Sequence, residues 1–425
     1  MASFVRNKDF LSLILGQLLY YISHWFSWAI FPVYLLANGY SFIDLVLFYL
    51  VAFFTTIVVQ TFFHTRGMKR IITRGLFLRL IMVLLLVHLF FRWQLWLLAI
   101  IYGTFWSFFW VVYNIRYFEL TTEGGTAFAS AILASIGPIV SVLVPLLTGL
   151  LSGVIGFQTS FLLSIPFLFA SWYAFKKLPA KNAEYNIVRA LASMQNLKRL
   201  LFIDGFWQAS YYVLIPIITL SYVHSPLGFG AFLSYLGIIG VLASFVLSRL
   251  ADRYRNRSIF IYPATIFMAA FTIAAAFTDS FWGWLIVVGL FSFFRGIASP
   301  LMMTVVIDSK KDLHDAMLGR TYLLMVGRFF GTLSVLVSFS LLGSFRYSLI
   351  LVGLVAAGYP FILFTTRVYD TVDRRMRYAA NHRFRVMVRL FVASPLMFFP
   401  RRIRKRWPSV TQFWSDLKIN RMLRR

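Results

Sequence analysis

The sequence predicts an all-α membrane protein of twelve transmembrane helices in two six-helix bundles, with both ends in the cytoplasm and a basic amphipathic C-terminal tail. Three observations predict it. The 425 residues are 60% hydrophobic and only 13% charged, with a mean hydropathy of +0.78, whereas a soluble domain is about half apolar and about a quarter charged. Apolar runs of spanning length recur along the whole chain. The basic residues between them fall almost entirely on one side.

The runs lie near 10–37, 42–64, 71–91, 93–115, 127–155, 157–175, 199–223, 227–248, 258–278, 281–306, 317–343 and 346–365. Each reaches or approaches the roughly 20 residues that cross the hydrocarbon core as a helix. Lipid cannot satisfy a bare backbone, so only helices or closed barrels span. The alternating strand-length pattern of a barrel is missing, and the runs read as helices. The first run is too long for the core of a signal peptide and carries no Ala-x-Ala-like cleavage site, so it reads as the first span. With no cysteine in the chain, disulfides and thiolate metal sites are excluded.

Lys and Arg total 41 against 14 acids, a formal charge of +27. In a soluble protein that value points to nucleic acid. Here the distribution points to topology instead, and nucleic acid is not an expected partner. Twenty basic residues sit in alternate connections, with clusters at Arg66, Lys69, Arg70 and Arg74, at Lys176, Lys177 and Lys181, and at Arg249, Arg253, Arg255 and Arg257. The opposite connections hold only Arg92 and Arg346. Cytoplasmic loops are enriched in Lys and Arg, which places the twenty inside. The longest internal polar stretch then divides the chain into an N-terminal bundle (1–175), a cytoplasmic linker (176–198), a C-terminal bundle (199–366) and a tail (367–425).

The two halves echo each other. Gly103-Thr104-Phe105-Trp106-Ser107-Phe108-Phe109 lies against Gly289-Leu290-Phe291-Ser292-Phe293-Phe294-Arg295, and Ile136-Gly137-Pro138 against Val326-Gly327-Arg328. Internal repeats of this kind build many transporters. Ser248-Arg249-Leu250-Ala251-Asp252-Arg253-Tyr254-Arg255-Asn256-Arg257 is similar to the Gly-x-Leu-Ala-Asp-Arg-x-Gly-Arg-Arg loop of the major facilitator superfamily. A degraded first copy stands at Thr65-Arg66-Gly67-Met68-Lys69-Arg70. Over roughly residues 8–366 the chain resembles that family. The resemblance implies a secondary transporter in which two bundles rock around a central site, with Asp252, Arg253 and Arg257 as a cytoplasmic conformational gate and a monomer as the default state. Read without the family, Asp252 pairs locally or caps a neighbouring helix start, or the loop is a solvated basic connection that only sets orientation.

Ionisable residues at bilayer depth cost at least about 2.5 kcal/mol on insertion scales and therefore need a reason. Arg295 stands fourteen residues past Phe281, about 21 Å along a helix rising about 1.5 Å per residue. Arg328 lies in the cytoplasmic half of the eleventh run. Together they favour an anionic or hydrogen-bond-accepting substrate, or serve as internal structural cations. His24 either relays a proton or bonds a neighbouring helix. Gln17, Tyr21, Trp207, Gln208 and Tyr211 are candidates for an aromatic and amide-lined pocket, or for plain packing. Asp204 either couples protons or pairs with Lys198 or Arg199. Arg116 and Glu119 are expected to pair, and Arg79 to snorkel to the inner surface. Gly137-Pro138 marks a helix kink rather than an exporter signature, because Val140 and Ser141 replace its further glycines.

The tail carries 16 basic and 3 acidic residues. Its basic clusters alternate with Leu390-Phe391-Val392 and Leu396-Met397-Phe398-Phe399, which suits the surface of an anionic leaflet. Pro395 and Pro400 break the run, so it is not another span. The chain has no Walker-type phosphate loop, paired carboxylates or metal-spaced histidines, so neither an enzyme activity nor a cofactor is expected. The reading is a multi-pass protein of the cytoplasmic membrane that moves a small, anionic or amphipathic molecule. A transport-dead relative acting as a scaffold or sensor through its tail is the alternative.

Overall fold

The computed structural model describes residues 8–62, 67–120, 126–179, 185–254, 258–310 and 312–366. Those residues form sixteen α-helices and one π-helical turn, with no strand among them. Eight helical stretches among them are long and apolar enough to cross a membrane.

The first part of the chain forms α1 (Lys8–Trp28), α2 (Phe31–Ala37), α3 (Phe42–Phe62), α4 (Met68–Val87), α5 (Arg92–Glu119), α6 (Thr126–Ile155), α7 (Phe157–Leu162) and α8 (Ser164–Lys176). After a short helix α9 (Ile187–Ser193) come α10 (Lys198–Ala209), the π turn (Ser210–Leu214), α11 (Ile215–Leu220) and α12 (Pro226–Tyr254). The last four are α13 (Ser258–Ala275), α14 (Phe281–Ser309), α15 (Leu313–Leu342) and α16 (Phe345–Thr365). Large apolar side chains such as Phe54, Leu143, Val154, Leu341 and Phe361 face outward, as lipid contact allows.

Two breaks follow from proline. Pro32 supplies no N–H to the turn before it, and α1 gives way to α2 there. Pro216 likewise leaves the Tyr212 carbonyl without its helical donor, and the backbone just before it widens into the π turn. Both breaks fall beside the interior cavity.

Packing is tight where residues are small or hydroxylic. The Ser171 hydroxyl of α8 donates to the Gly16 carbonyl of α1 at 2.7 Å. The α10–α15 seam is closer still. A Cβ on Gly327 would lie 2.7 Å from the Phe206 nitrogen, and one on Gly205 would fall on the Leu324 carbonyl. Only glycine allows that approach. The pairs α6–α12 and α3–α15 join helices from before and after α9.

At one end of α15, Asp312 caps the helix by accepting from the His314 and Asp315 amides. Arg189 of α9 donates to both oxygens of Asp315, at 2.6 and 3.1 Å, and ties the short helix to α15. Arg116 and Glu119 pair at 3.1 Å.

Arg79 departs from the snorkelling expected of it. It is 0% exposed and turns inward from α4, donating to the Ser27 hydroxyl of α1 at 2.6 Å. The Ser27 acceptor and the Trp28 ring give the guanidinium better partners than a climb to the surface. Asp252 and Arg253 lie on α12, but their side chains are outside the described residues, as are all of Arg257 and the tail 367–425.

Candidate substrate cavity

A cavity of about 350 Å³ opens between the helices before and after α9. Its aromatic wall is made by α1, α3, α5 and the π turn: Tyr20, Tyr21, Trp25, Trp28, Tyr49, Tyr102, Trp106, Trp110, Tyr211 and Tyr212. Helices α6 and α12 add small residues, including Gly137, Pro138, Ser141, Gly237 and Gly240. Arg295, Gly296, Ser299 and Pro300 of α14 complete it, and no carboxylate lines it among the described residues.

Aromatic spacing explains the wall. Tyr102, Trp106 and Trp110 are four apart on α5, so they form one stripe. Tyr20 or Tyr21, His24 or Trp25, and Trp28 make the matching stripe on α1. The rings then lock together, Trp28 stacking on Tyr102 at 4.6 Å and on Phe31 at 4.4 Å. Such pairs are worth about 0.5–1.5 kcal/mol beyond their burial.

Arg295 is the central residue of α14, and its guanidinium lies 3.5 Å from the centre of the Tyr211 ring. Its buried Nε has no hydrogen-bond partner among the described residues. The ring takes the face of the guanidinium and leaves its in-plane N–H donors for a ligand.

Arg328 is placed differently. It is buried behind the wall, with its guanidinium 4.7 Å from the Tyr212 ring and 5.0 Å from Trp106. Its Nε donates to Gln208 Oε1 at 2.7 Å, and Nη2 donates to the same oxygen. Gln208 Nε2 in turn donates to Asp204 at 2.8 Å. Arginine only donates and a carboxylate only accepts, so the amide has one orientation that joins both. Asp204 is thereby bonded to Gln208, and no ion pair to Lys198 or Arg199 occurs among the described residues.

Of the other candidates, Tyr21, His24 and Tyr211 line the cavity, whereas Gln17, Trp207 and Gln208 do not. Gln17 is 0% exposed and accepts from the Tyr113 hydroxyl at 2.6 Å. Trp207 donates to Thr272 at 3.4 Å. His24 Nδ1 is 3.4 Å from the Tyr20 hydroxyl of its own helix. The amides thus serve the framework, and the wall is aromatic.

Arg79 is the group that local sequence logic missed. Its guanidinium stands 5.1 Å from the ring of Trp28, a residue of the cavity wall. Nη1 reaches only the Met82 sulfur at 4.0 Å, and the buried Nε has no hydrogen-bond partner among the described residues. Ser27 and Trp28 are thus its partners, and no ion pair to Arg79 occurs among the described residues.

The sequence model for the Major Facilitator Superfamily matches residues 13–332. The chain belongs to the major facilitator superfamily. As a member of that superfamily it is a membrane transport protein rather than an enzyme. Solved structures similar to this facilitator agree on the fold. The fucose:proton symporter of E. coli is 14% identical with a TM-score of 0.60, covering 84% of this chain and 98% of its own. A bacterial homologue of the iron transporter ferroportin, in an outward-facing state, is 13% identical with a TM-score of 0.65, covering 84% and 99%. The human organic anion transporter MFSD10 is 13% identical with a TM-score of 0.59, covering 84% and 99%. No curated protein sequence is a significant match to this facilitator.

Proposed function

We propose that the chain is a secondary active transporter that carries a small anionic or amphipathic solute across the cytoplasmic membrane by alternating access. The observation that carries this reading is Arg295, whose buried Nε has no hydrogen-bond partner among the described residues, standing in an aromatic cavity with no carboxylate among its described lining residues. A cation in a low-dielectric pocket favours an anion, and the rings favour an apolar body. The cavity size lies within the roughly 300–1,000 Å³ of small-molecule sites.

The wider reading has twelve spans with both termini inside, bundles at 1–175 and 199–366, and the linker at 176–198. The cross-packed pairs α6–α12 and α3–α15 support two bundles that move against each other around the cavity. Asp252, Arg253 and Arg257 would gate the cytoplasmic side, Asp204 would couple if coupling involves protons, and the basic tail would lie on anionic lipid. The transporter acts as a monomer in this reading.

A thermal-shift screen of the purified protein against organic anions, phosphorylated metabolites, neutral solutes, acidic lipids and hydrophobic cations tests the function. A ligand at a hundredfold excess over its Kd stabilises by about 2.7 kcal/mol. Shifts with organic anions that vanish in Arg295→Gln are expected. Shifts confined to hydrophobic cations, or unchanged by that variant, would contradict the reading.

A further inference from the structure

We propose that the solute bound in this cavity is a planar aromatic acid, its acid group held by Arg295 and its ring stacked on Trp25. The inference rests on the anion reading above and deepens it by naming the body of the solute. Four tryptophans among the described residues stand in the cavity wall. Three of them are met by a group from another helix: Trp28 by Tyr102 at 4.6 Å, Trp110 by Tyr20 and Tyr21 at 5.7 and 5.6 Å, and Trp106 by the Arg328 guanidinium at 5.0 Å. Trp25 is not. Its one ring contact among the described residues is His24, its neighbour in sequence, steeply inclined at 5.9 Å. Its buried indole N–H has no hydrogen-bond partner among the described residues either.

A buried indole N–H ordinarily finds an acceptor, and leaving one without is a cost that leucine or phenylalanine in the same place would avoid. Neither a stacked ring nor a polar bond of the framework therefore accounts for a tryptophan here. What tryptophan adds is a large electron-rich face on a partly buried residue that lines the cavity. Such a face attracts a flat ring or a cation. Arg295 shares the cavity and no carboxylate lines it among the described residues, so a cation is disfavoured and the ring remains. The acid group of the same molecule goes to Arg295, whose in-plane donors Tyr211 leaves open. A cavity of about 150 Å³ holds one benzene ring. At about 350 Å³ this one has room for two fused rings with their acid group. Bicyclic aryl carboxylates represent the class.

The test uses naphthoate, its neutral amide and its fully saturated decalin counterpart. Their Kd values are measured by calorimetry on the full-length purified protein. Acid against amide tests the anion reading, and flat ring against saturated ring tests this inference. Naphthoate is expected to bind about fivefold or more tightly than the saturated acid. In Trp25→Leu that preference should fall to about twofold or less, while the preference for acid over amide stays unchanged. Trp25→Phe, which keeps a ring, should retain most of it. Equal binding of the flat and saturated acids by the wild type overturns the inference even if no Trp25 variant folds. So does a full ring preference in Trp25→Leu, or no naphthoate binding at millimolar concentration. Failure of the anion reading looks different, because the amide would then bind as well as naphthoate.

Discussion

At the scale of single residues, the environment of each arginine decides what it can do. Arg295 keeps its donors because Tyr211 occupies only the face of the guanidinium. Arg295→Gln should weaken binding of an organic anion by about thirtyfold or more, since losing one partner of a buried charge contact costs about 2–5 kcal/mol. Arg295→Lys should fall between the two, keeping charge but losing the planar stack; calorimetry orders all three. Gln208 works for the framework. Gln208→Leu would strip both Arg328 and Asp204 of their shared amide and lower stability by about 1–3 kcal/mol, seen as a lower Tm in a ligand-free melt. Arg295 was legible in the sequence because an arginine at mid-helix has no cheap structural excuse. Arg79 was not. It stands close enough to a helix end that snorkelling satisfied every local rule, and the partner that turns it inward, Ser27, belongs to another helix.

At the scale of elements, the π turn and the glycine seam position the chemistry. Pro216 removes one helical donor, and Tyr211 and Tyr212 sit in the widened turn facing Arg295 and Arg328. Pro216→Ala should restore a regular helix, raise Tm, and weaken anion binding by moving Tyr211 off Arg295. A gain in both stability and affinity would contradict that role for the turn. The α10–α15 seam has no such freedom. Gly327→Val should destabilise by about 3 kcal/mol or more, the top of the range typical of overpacking, because backbone rather than a movable side chain stands in the way. A urea or thermal melt in detergent reads this. The helices themselves were legible from hydropathy, and the α5 stripe of Tyr102, Trp106 and Trp110 from its spacing. Which stripe would face a cavity was not, because the same spacing describes a packed core.

At the scale of the molecule, charge asymmetry carries the proposed orientation. A chain without cysteine is a clean background for labelling. Single cysteines in place of Arg92 or Arg346 should react with an impermeant maleimide added to intact cells, and cysteines in place of Lys177 or Lys310 should react only after the membrane is opened. The reverse pattern would invert the proposed topology. The family could be read from the sequence, since hydropathy and basic loops are properties of segments. The seating of helices against one another could not, since α10 meets α15 through backbone contacts that have no sequence period. The central claim is that Arg295 binds an anion that the protein then moves, and counterflow in proteoliposomes tests it most directly. Vesicles loaded with the unlabelled organic anion that gives the largest thermal shift should accumulate the radiolabelled compound from outside when they contain wild-type protein, and should lose that accumulation with Arg295→Gln. Wild-type accumulation no greater than in protein-free vesicles, or equal accumulation with the variant, would contradict the account.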